Sequence, residues 1–407
     1  MKYRMRFISV VLVASVFAVP VFGQRTDVAH AANQTGLDLF GREANEHRTS
    51  NIVLSPYSIE RGLTLAFVGA AGRTRQEMAE VLHLPADDPQ LAAGFSSLSK
   101  QLEADRGGAE WHAADRLYVQ QGYPFHPEFL QDMSRDWGAA LQLVDYRSDP
   151  ANVGRAINAW VSDQTAGKIT DLLPTGALDE RTRAVIVDAL YLKAKWQERF
   201  KTKETRDRPF RVAGGDSASV PTMHATEFLG YRKENGYQAV AVPYEGGQWQ
   251  LLILLPDAAD GLPALVSELS AESLKQLATL PAQDVSFYLP KFRLQHARIA
   301  LKAQLEALGM KTAFDDPKGS ADFSRMANRS PDDYLKISDV YHQVYLDVDE
   351  TGTEAAAATG GVMLSVLSVM SVSHVIEVRV DHPFVFAIQD RKTGLCLFLG
   401  QITDPRG

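Results

Sequence analysis

Few side chains in this chain have the types and spacing that catalysis needs. Cys396, the only cysteine, sits in an apolar run at residues 395–399, where a buried structural thiol is favoured over a catalytic one. His224, His374 and His382 show no metal-ligand spacing, and no G-x-S-x-G, Walker, H-E-x-x-H or paired C-x-x-C motif occurs. A hydrolase stays a rival hypothesis without a motif behind it. We therefore expect no catalytic residue, no metal site and no cofactor.

One carboxylate stands where a strand should be apolar. Asp188 interrupts the apolar run at residues 184–192, and a buried carboxylate needs a partner because an unpaired buried charge is costly. His342, in a second strand-like run, is the best candidate for that partner. The sequence predicts that Asp188 and His342 meet inside a sheet.

Residues 349–375 do not read as ordinary secondary structure. Four alanines favour a helix, the two glycines at 360 and 361 break one, and the Val/Leu/Met stretch that follows favours a strand. Such a mixed segment between two confident strands is typical of a functional loop or a conformational switch. From these residues alone, a buried helix–turn–strand connector is an equally good interpretation.

The elements that must position these residues are helices interleaved with strands. Ser55-Pro56 predicts a helix start, with a cap followed by proline at the first helical position. Further helices are expected at residues 74–82, 152–167 and 299–308. Strands are expected at residues 116–120, 184–192, 239–243, 250–255, 285–289, 378–380, 384–388 and 395–399. Without a regular βαβ alternation, this order favours an α+β fold with mostly antiparallel sheets.

The N-terminus predicts secretion. Lys2, Arg4 and Arg6 precede an apolar run that ends near residue 22, which is the pattern of a signal peptide. Cleavage is favoured after Gly23, with Ala31 as the alternative, so we expect a signal peptide at 1–23 and one domain at 24–407, in an extracellular or periplasmic location. The run is too short for a retained membrane span. The formal net charge of −8 argues against non-specific nucleic-acid binding.

Nine short motifs are spread over essentially the whole mature chain. They are 51–59 (NIVLSPYSI), 158–161 (NAWV), 165–169 (TAGKI), 193–196 (KAKW), 289–292 (LPKF), 308–310 (LGM), 350–359 (ETGTEAAAAT), 381–386 (DHPFVF) and 398–402 (FLGQI). Together and in this order, these motifs resemble those of the serpin family.

The resemblance implies a fold of three β-sheets and about nine helices, with an exposed reactive-centre loop at about residues 350–376. It also implies a function that is not enzymatic. A target serine protease cleaves the loop and forms a covalent acyl-enzyme, and the loop then inserts into the main sheet as a new strand and traps the protease. We expect a secreted monomer. A non-inhibitory serpin acting as a carrier or binding protein is the alternative.

The start of the loop, which the resemblance identifies as the hinge, has residues suited to insertion. The hinge comprises Glu350, Gly352, Thr353, Glu354, Ala355, Ala356, Ala357, Ala358 and Thr359. A new central strand points alternate side chains into the core. If Thr353 points inward, so do positions 355, 357, 359 and 361, and all of these residues are small. Small side chains enter a packed interior without the roughly 1–3 kcal/mol cost of overpacking. This row favours an inhibitor.

The family's counting from Glu350 places the scissile bond at Val366–Leu367, with Leu367 and Met370 as the next candidates to donate the cleaved carbonyl. The loop is about six residues longer than in familiar animal inhibitors, so these alternatives stay open. Apolar residues there suit an elastase-like, subtilisin-like or chymotrypsin-like protease. No Arg or Lys occurs from residue 355 to 378, which disfavours a trypsin-like target.

Two supporting clusters follow from the resemblance. Trp196 and Lys291 match the breach, where the hinge first enters the sheet, and Lys291 is expected to pair with Glu350 unless it is an ordinary surface lysine. Ser55, Ser58, Asp188 and His342 match the shutter beneath the centre of the sheet, where the family usually has Asn instead of Asp188. We expect an Asp188–His342 pair to make sheet opening sensitive to pH.

Overall fold

The structure, a computed structural model, describes residues 27–85, 91–104, 109–113, 116–137, 141–331, 333–353 and 375–407. The predicted signal peptide, the reactive-bond residues Val366, Leu367 and Met370, and the hinge residues from Glu354 to Thr359 lie outside these ranges. In the described residues there are nine α-helices. They are α1 Val28–Glu46, α2 Pro56–Gly69, α3 Gly72–Val81, α4 Leu91–Ala104, α5 Pro127–Trp137, α6 Pro150–Gln164, α7 Leu262–Glu268, α8 Ala271–Leu277 and α9 Lys302–Leu308.

The same ranges contain sixteen β-strands. They are β1 Ile52–Leu54, β2 Glu110–Ala113, β3 Arg116–Gln120, β4 Leu141–Val144, β5 Ala184–Lys195, β6 Arg206–Arg211, β7 Ser217–Lys233, β8 Tyr237–Pro243, β9 Trp249–Pro256, β10 Ala282–Pro290, β11 Phe292–Ala300, β12 Val340–Asp349, β13 Gly352–Thr353, β14 Ile376–Arg379, β15 Phe384–Asp390 and β16 Cys396–Ile402. The helix predicted at residues 299–308 begins only at Lys302, because residues 299 and 300 pair with β12 as the end of β11.

The strands form two hydrogen-bonded sheets in the described part of the chain. The smaller sheet has the order β11-β12-β13-β5-β3-β4, with β2 also paired to β5. The larger has the order β1-β16-β15-β9-β8-β7-β10-β14, with β6 also paired to β7. Among the pairs described, only β10–β14, β12–β5 and β3–β4 are parallel, so the predicted α+β fold with mostly antiparallel sheets is confirmed.

Strand β7 explains why hydrogen bonding gives two sheets where the resemblance implies three. Its first part pairs with β6, its middle with β10, and its last four residues with β8. At 17 residues it is far longer than the usual five or six. One strand therefore joins the β6–β10–β14 group to the group that contains β8, β9, β15, β16 and β1.

Strand β5 is buried on both faces. Ile186, Leu190 and Leu192 contribute to the core that α2 shares with both sheets, whereas Val187 and Tyr191 pack with α6 on the opposite face. A strand covered on both sides is apolar throughout instead of alternating, as the run at 184–192 is. Asp188 lies in phase with Ile186 and Leu190, on the face toward α2.

Helix α2 begins as its sequence predicts. The Ser55 side chain accepts a hydrogen bond from the backbone N–H of Ser58 at 3.2 Å, and Pro56 occupies the first turn. These contacts satisfy an otherwise free donor at the helix start. The described helices include none with the length and apolar character that a membrane span requires. Cys396 is wholly buried, and burial raises the pKa of its thiol to about 12, so the structural interpretation of this cysteine is supported.

Candidate functional site

The central strands of the smaller sheet separate at one end. Over residues 186–191 and 340–345, β5 and β12 pair directly and in parallel. Beyond that stretch β13 enters between them and pairs antiparallel to both, with Gly352 opposite Lys195 and Thr353 opposite both Ala194 and Val348. The two residues of β13 thus already occupy the position of a new strand between β5 and β12.

Hydrogen bonds to backbone carbonyls hold the turn before β13. The indole N–H of Trp196 donates to the Asp349 carbonyl at 2.8 Å, and the Trp196 backbone N–H donates to the Thr351 carbonyl at 3.1 Å. The backbone N–H of Phe200 donates to the Glu350 carbonyl at 3.1 Å. Three successive carbonyls are therefore held by the segment that follows β5.

The Glu350 side chain is paired at the same place. Its carboxylate accepts from Lys291 Nζ at 2.8 Å and from the Thr205 hydroxyl at 2.8 Å. Partial burial alone favours the neutral acid, but the hydrogen bonds from Lys291 and Thr205 prevail and lower the pKa of Glu350. Because the Lys291 side chain is 37% exposed, the ion pair contributes at most about 1 kcal/mol. Its value is in fixing where the turn lies.

The two residues of β13 fit their position closely. Thr353 is wholly buried, and its Oγ1 lies 2.6 Å from the hydroxyl of Tyr244, which is also wholly buried. The Tyr244 ring stacks on Trp196 with centroids 4.6 Å apart and planes 9° apart. Gly352 has a φ of +154°, and a Cβ built on it would lie 2.0 Å from the Ala194 carbonyl oxygen. Only glycine fits there.

We call the boundary between β5 and β12, including the position of β13, the seam. Further along it, Asp188 and His342 are register partners on β5 and β12. Both side chains are wholly buried, and His342 Nδ1 lies 3.3 Å from Asp188 Oδ1. The backbone N–H of Ser55 donates to His342 Nε2 at 3.0 Å, so Nε2 carries the lone pair. In the neutral ring this assigns the proton to Nδ1, on the Asp188 side. The pair therefore spans the two strands that β13 begins to separate.

Nearly the whole described chain is similar to known proteins. A family profile described as Serpin (serine protease inhibitor) matches residues 30–405. The chain belongs to the serpin family. Among its relatives, an uncharacterised serpin-like protein of Thermococcus kodakarensis is 37% identical, covering 94% of this chain and 87% of the relative. The leukocyte elastase inhibitor of Bos taurus is 35% identical, covering 92% of this chain and 99% of the relative.

Solved serpin structures agree with the fold. A crystal structure of maspin superposes with a TM-score of 0.83 at 27% identity, covering 93% of this chain and 98% of that one. The predicted family and the predicted serpin fold are confirmed. Family membership and the relatives named elastase inhibitors support protease inhibition as the general function.

The structure brings together most of the described residues that the sequence singled out. Trp196 and Lys291 contact the turn before β13, and Lys291 pairs with Glu350 while remaining a partly exposed surface lysine. Ser55 contacts His342, and Ser58 joins the cluster through the Ser55 cap. The roles of these residues in inhibition stay predictions.

Three residues that contact the hinge were not predicted from the sequence, namely Tyr244, Thr205 and Phe200. Each lies in a segment that carries no motif of its own, and each contacts the hinge from a distant part of the chain. Tyr244 directly follows β8, and nothing in the sequence around it indicates that its ring stacks on Trp196.

The hydroxyl contact between Tyr244 and Thr353 can be measured directly. Burial keeps Tyr244 neutral by raising its pKa, so each hydroxyl needs the other as partner. Thr353→Val leaves the Tyr244 hydroxyl buried and unpaired, and we expect a loss of about 1–3 kcal/mol in the free energy of unfolding. Thr353→Ser keeps the hydroxyl and serves as control. Tyr244→Phe should remove most of the cost of Thr353→Val in a double-mutant cycle. Additive losses would contradict the contact.

Proposed function

We propose that this serpin inhibits serine endopeptidases as a suicide substrate. The protease cleaves the reactive-centre loop and forms an acyl-enzyme, and the hinge inserts between β5 and β12 before the acyl-enzyme is hydrolysed. The observation that carries this proposal is the position of β13, which already pairs antiparallel with both strands at the top of the seam.

The seam gives insertion a driving force. Before insertion, β5 and β12 are joined by one parallel ladder over six residues each. An inserted strand that continues β13 would replace that ladder with two antiparallel ones, and antiparallel pairing is slightly more stable per residue. Each inserted residue also satisfies backbone donors and acceptors on both sides. The sheet thereby gains hydrogen bonds for every residue of loop that enters.

The register of β13 predicts where each hinge residue would land. Continuing the pairs of Thr353 with Ala194 and Val348 places Thr359 opposite both Asp188 and His342. The wholly buried Thr353 supports an inward row at positions 353, 355, 357, 359 and 361. Insertion as far as Thr359 would therefore part the Asp188–His342 pair, and the hydroxyl of Thr359 would arrive as its replacement partner.

The proposed target has an apolar primary pocket, of the elastase, subtilisin or chymotrypsin kind. Val366–Leu367 is the proposed reactive bond, with Met370 as the alternative, and no basic residue lies nearby to attract a trypsin-like protease. The relative from Bos taurus, named leukocyte elastase inhibitor, supports the same choice. The alternative is a carrier or binding protein of the same fold.

Mixing the chain with elastase, subtilisin or chymotrypsin tests the proposal. We expect a complex that survives SDS with at least one of them and not with trypsin. Mass spectrometry of the smaller cleavage fragment then identifies the bond by its first residue. Thr353→Arg is the matched control, because a charge at this wholly buried position opposes insertion but leaves the bond available for cleavage. Clean cleavage of the parent chain without any complex would reject the inhibitor and favour the carrier.

We also propose that the mature protein comprises residues 24–407 and acts outside the cytoplasm. Cleavage after Gly23 leaves α1 whole, whereas cleavage after Ala31 would remove its Asp27 cap and the buried Val28 and Ala29. The structure of α1 therefore favours the first site. N-terminal sequencing of the secreted protein distinguishes the two.

A further inference from the structure

A cleft beside the hinge has no role in the mechanism above. It lies between the segment after β5, the middle of β7 and the end of β8, and it encloses about 260 Å³. Phe200, Leu229 and Pro243 form its apolar walls, while Glu198 and Glu227 contribute carboxylates. We call it the Glu198–Glu227 cleft.

The negative charge of Glu198 acts on Glu227 across the cleft. Partial burial and then the negative charge of Glu198 raise the pKa of Glu227, and Lys201 opposes this only in part. Within the described residues no ion pair or hydrogen bond holds the side chain of Glu198 or Glu227, although Lys201 acts electrostatically on Glu227. Lys201 compensates the negative charge beside the apolar walls only in part, so a further cation bound in the cleft would be favourable.

The cleft also displays an apolar side chain to solvent. Phe228 is 68% exposed, the highest value among the large apolar residues described. An aromatic face at the rim can hold an alkyl chain or receive a guanidinium through a cation–π contact. Pockets for whole drug-sized ligands usually measure roughly 300–1,000 Å³, so this smaller cleft fits one side chain better than a complete small molecule.

We propose that the Glu198–Glu227 cleft docks a partner protein through one arginine or lysine side chain flanked by apolar residues. The alkyl part of that side chain lies against Phe200 and Pro243, its charged end meets the two carboxylates, and a flanking apolar residue covers Phe228. Such an arrangement buries the stem of the side chain and keeps its charge paired.

The cleft shares Phe200 with the contacts that hold the turn before β13. The backbone N–H of Phe200 donates to the Glu350 carbonyl, and its ring packs against Trp196 with centroids 6.1 Å apart. A partner docked here would thus sit next to the point where the loop leaves the sheet. This gives the serpin a contact surface whose specificity is separate from the residues at the reactive bond.

A peptide with one arginine between two leucines, capped at both ends, is the probe. Titration calorimetry should show binding to the parent chain, and at least about tenfold weaker binding of the same peptide with glutamine in place of arginine. Glu198→Gln with Glu227→Gln should weaken the arginine peptide by a similar factor, and Phe228→Ala should also weaken it. Glu128→Gln, which removes one exposed acid from α5, is the control and should leave binding unchanged.

Three results would overturn the proposal. These are equal binding of the glutamine peptide, undiminished binding to the double Gln variant, and equal affinity for a free alkylguanidine, which would assign the cleft to small molecules. The titration uses no protease. If the chain still forms protease complexes but does not bind the peptide, only the cleft proposal is rejected. If it binds the peptide but does not inhibit, only the proposed function is rejected.

Discussion

Gly352→Ala is expected to turn the inhibitor into a substrate. A Cβ at this position would lie 2.0 Å from the Ala194 carbonyl oxygen and 2.7 Å from the Lys195 Cα, both of which belong to the backbone of β5. A backbone cannot move aside as a flexible side chain can, so β13 must leave the seam. The inserted strand needs the same position, because it continues the register of β13. Overpacking of about 1–3 kcal/mol predicts a stoichiometry of inhibition that rises about tenfold or more.

The measurement is a titration of protease activity together with electrophoresis of the products in SDS. The complex should be replaced by cleaved serpin, while the rate of loop cleavage stays near that of the parent chain. Gly41→Ala is the matched control, since nothing lies within 4 Å of a Cβ built at this position in α1. It should inhibit normally and gain about 0.5–1 kcal/mol of stability from the better helix former. Normal inhibition by Gly352→Ala would show that the hinge does not enter at β13.

Glu60→Gln is expected to stabilise the native state, and the gain in unfolding free energy should increase with pH. Glu60 lies on α2 and is wholly buried, and burial raises the pKa of its carboxyl to about 8, although the nearby Thr35 side chain opposes the shift. Below pH 4.5 the carboxyl is neutral in both the folded and the unfolded chain. Between pH 4.5 and 8 only the unfolded chain ionises, so native stability falls by about 1.4 kcal/mol per pH unit and levels off above 8. Glutamine has no such loss.

Chemical unfolding at pH 5, 6.5 and 8 tests this expectation. The difference in unfolding free energy between the variant and the parent chain should be small at pH 5 and should reach several kcal/mol at pH 8. Glu77→Gln is the contrasting control. Hydrogen bonds from Lys311, Thr312 and Arg73 outweigh burial and lower the pKa of Glu77, so its replacement should destabilise the chain at pH 7. A pH-independent effect of Glu60→Gln would contradict an uncharged native Glu60.

Much of the fold could be predicted because its signals are local. The apolar run of β5 and the Ser55-Pro56 start of α2 depend on neighbouring residues, and both lie where the sequence places them. The length of β7 could not be predicted. Its partner strand changes along its course. Its pattern of buried and exposed residues changes with the partner, instead of keeping one regular alternation.

The site was predictable to the extent that each residue is unusual for its surroundings. Asp188 drew attention because it is a carboxylate in an apolar strand, and it does lie against His342. Tyr244 and Thr205 are ordinary residues for their positions, and only the tertiary packing of distant strands brings them to Thr353 and Glu350. The antiparallel position of β13 between two parallel strands is likewise a property of the assembled sheet.

The strands that follow the loop should keep the two pieces of a cleaved chain together. β15 pairs with β9 and β16, β16 pairs with β1, and both strands are buried along their whole length. A break anywhere between residues 353 and 375 therefore yields a two-chain heterodimer in which the shorter piece is held as an interior subunit. The two pieces should dissociate only on denaturation, and residues 375–407 supplied as a separate polypeptide should complement a truncated chain during refolding.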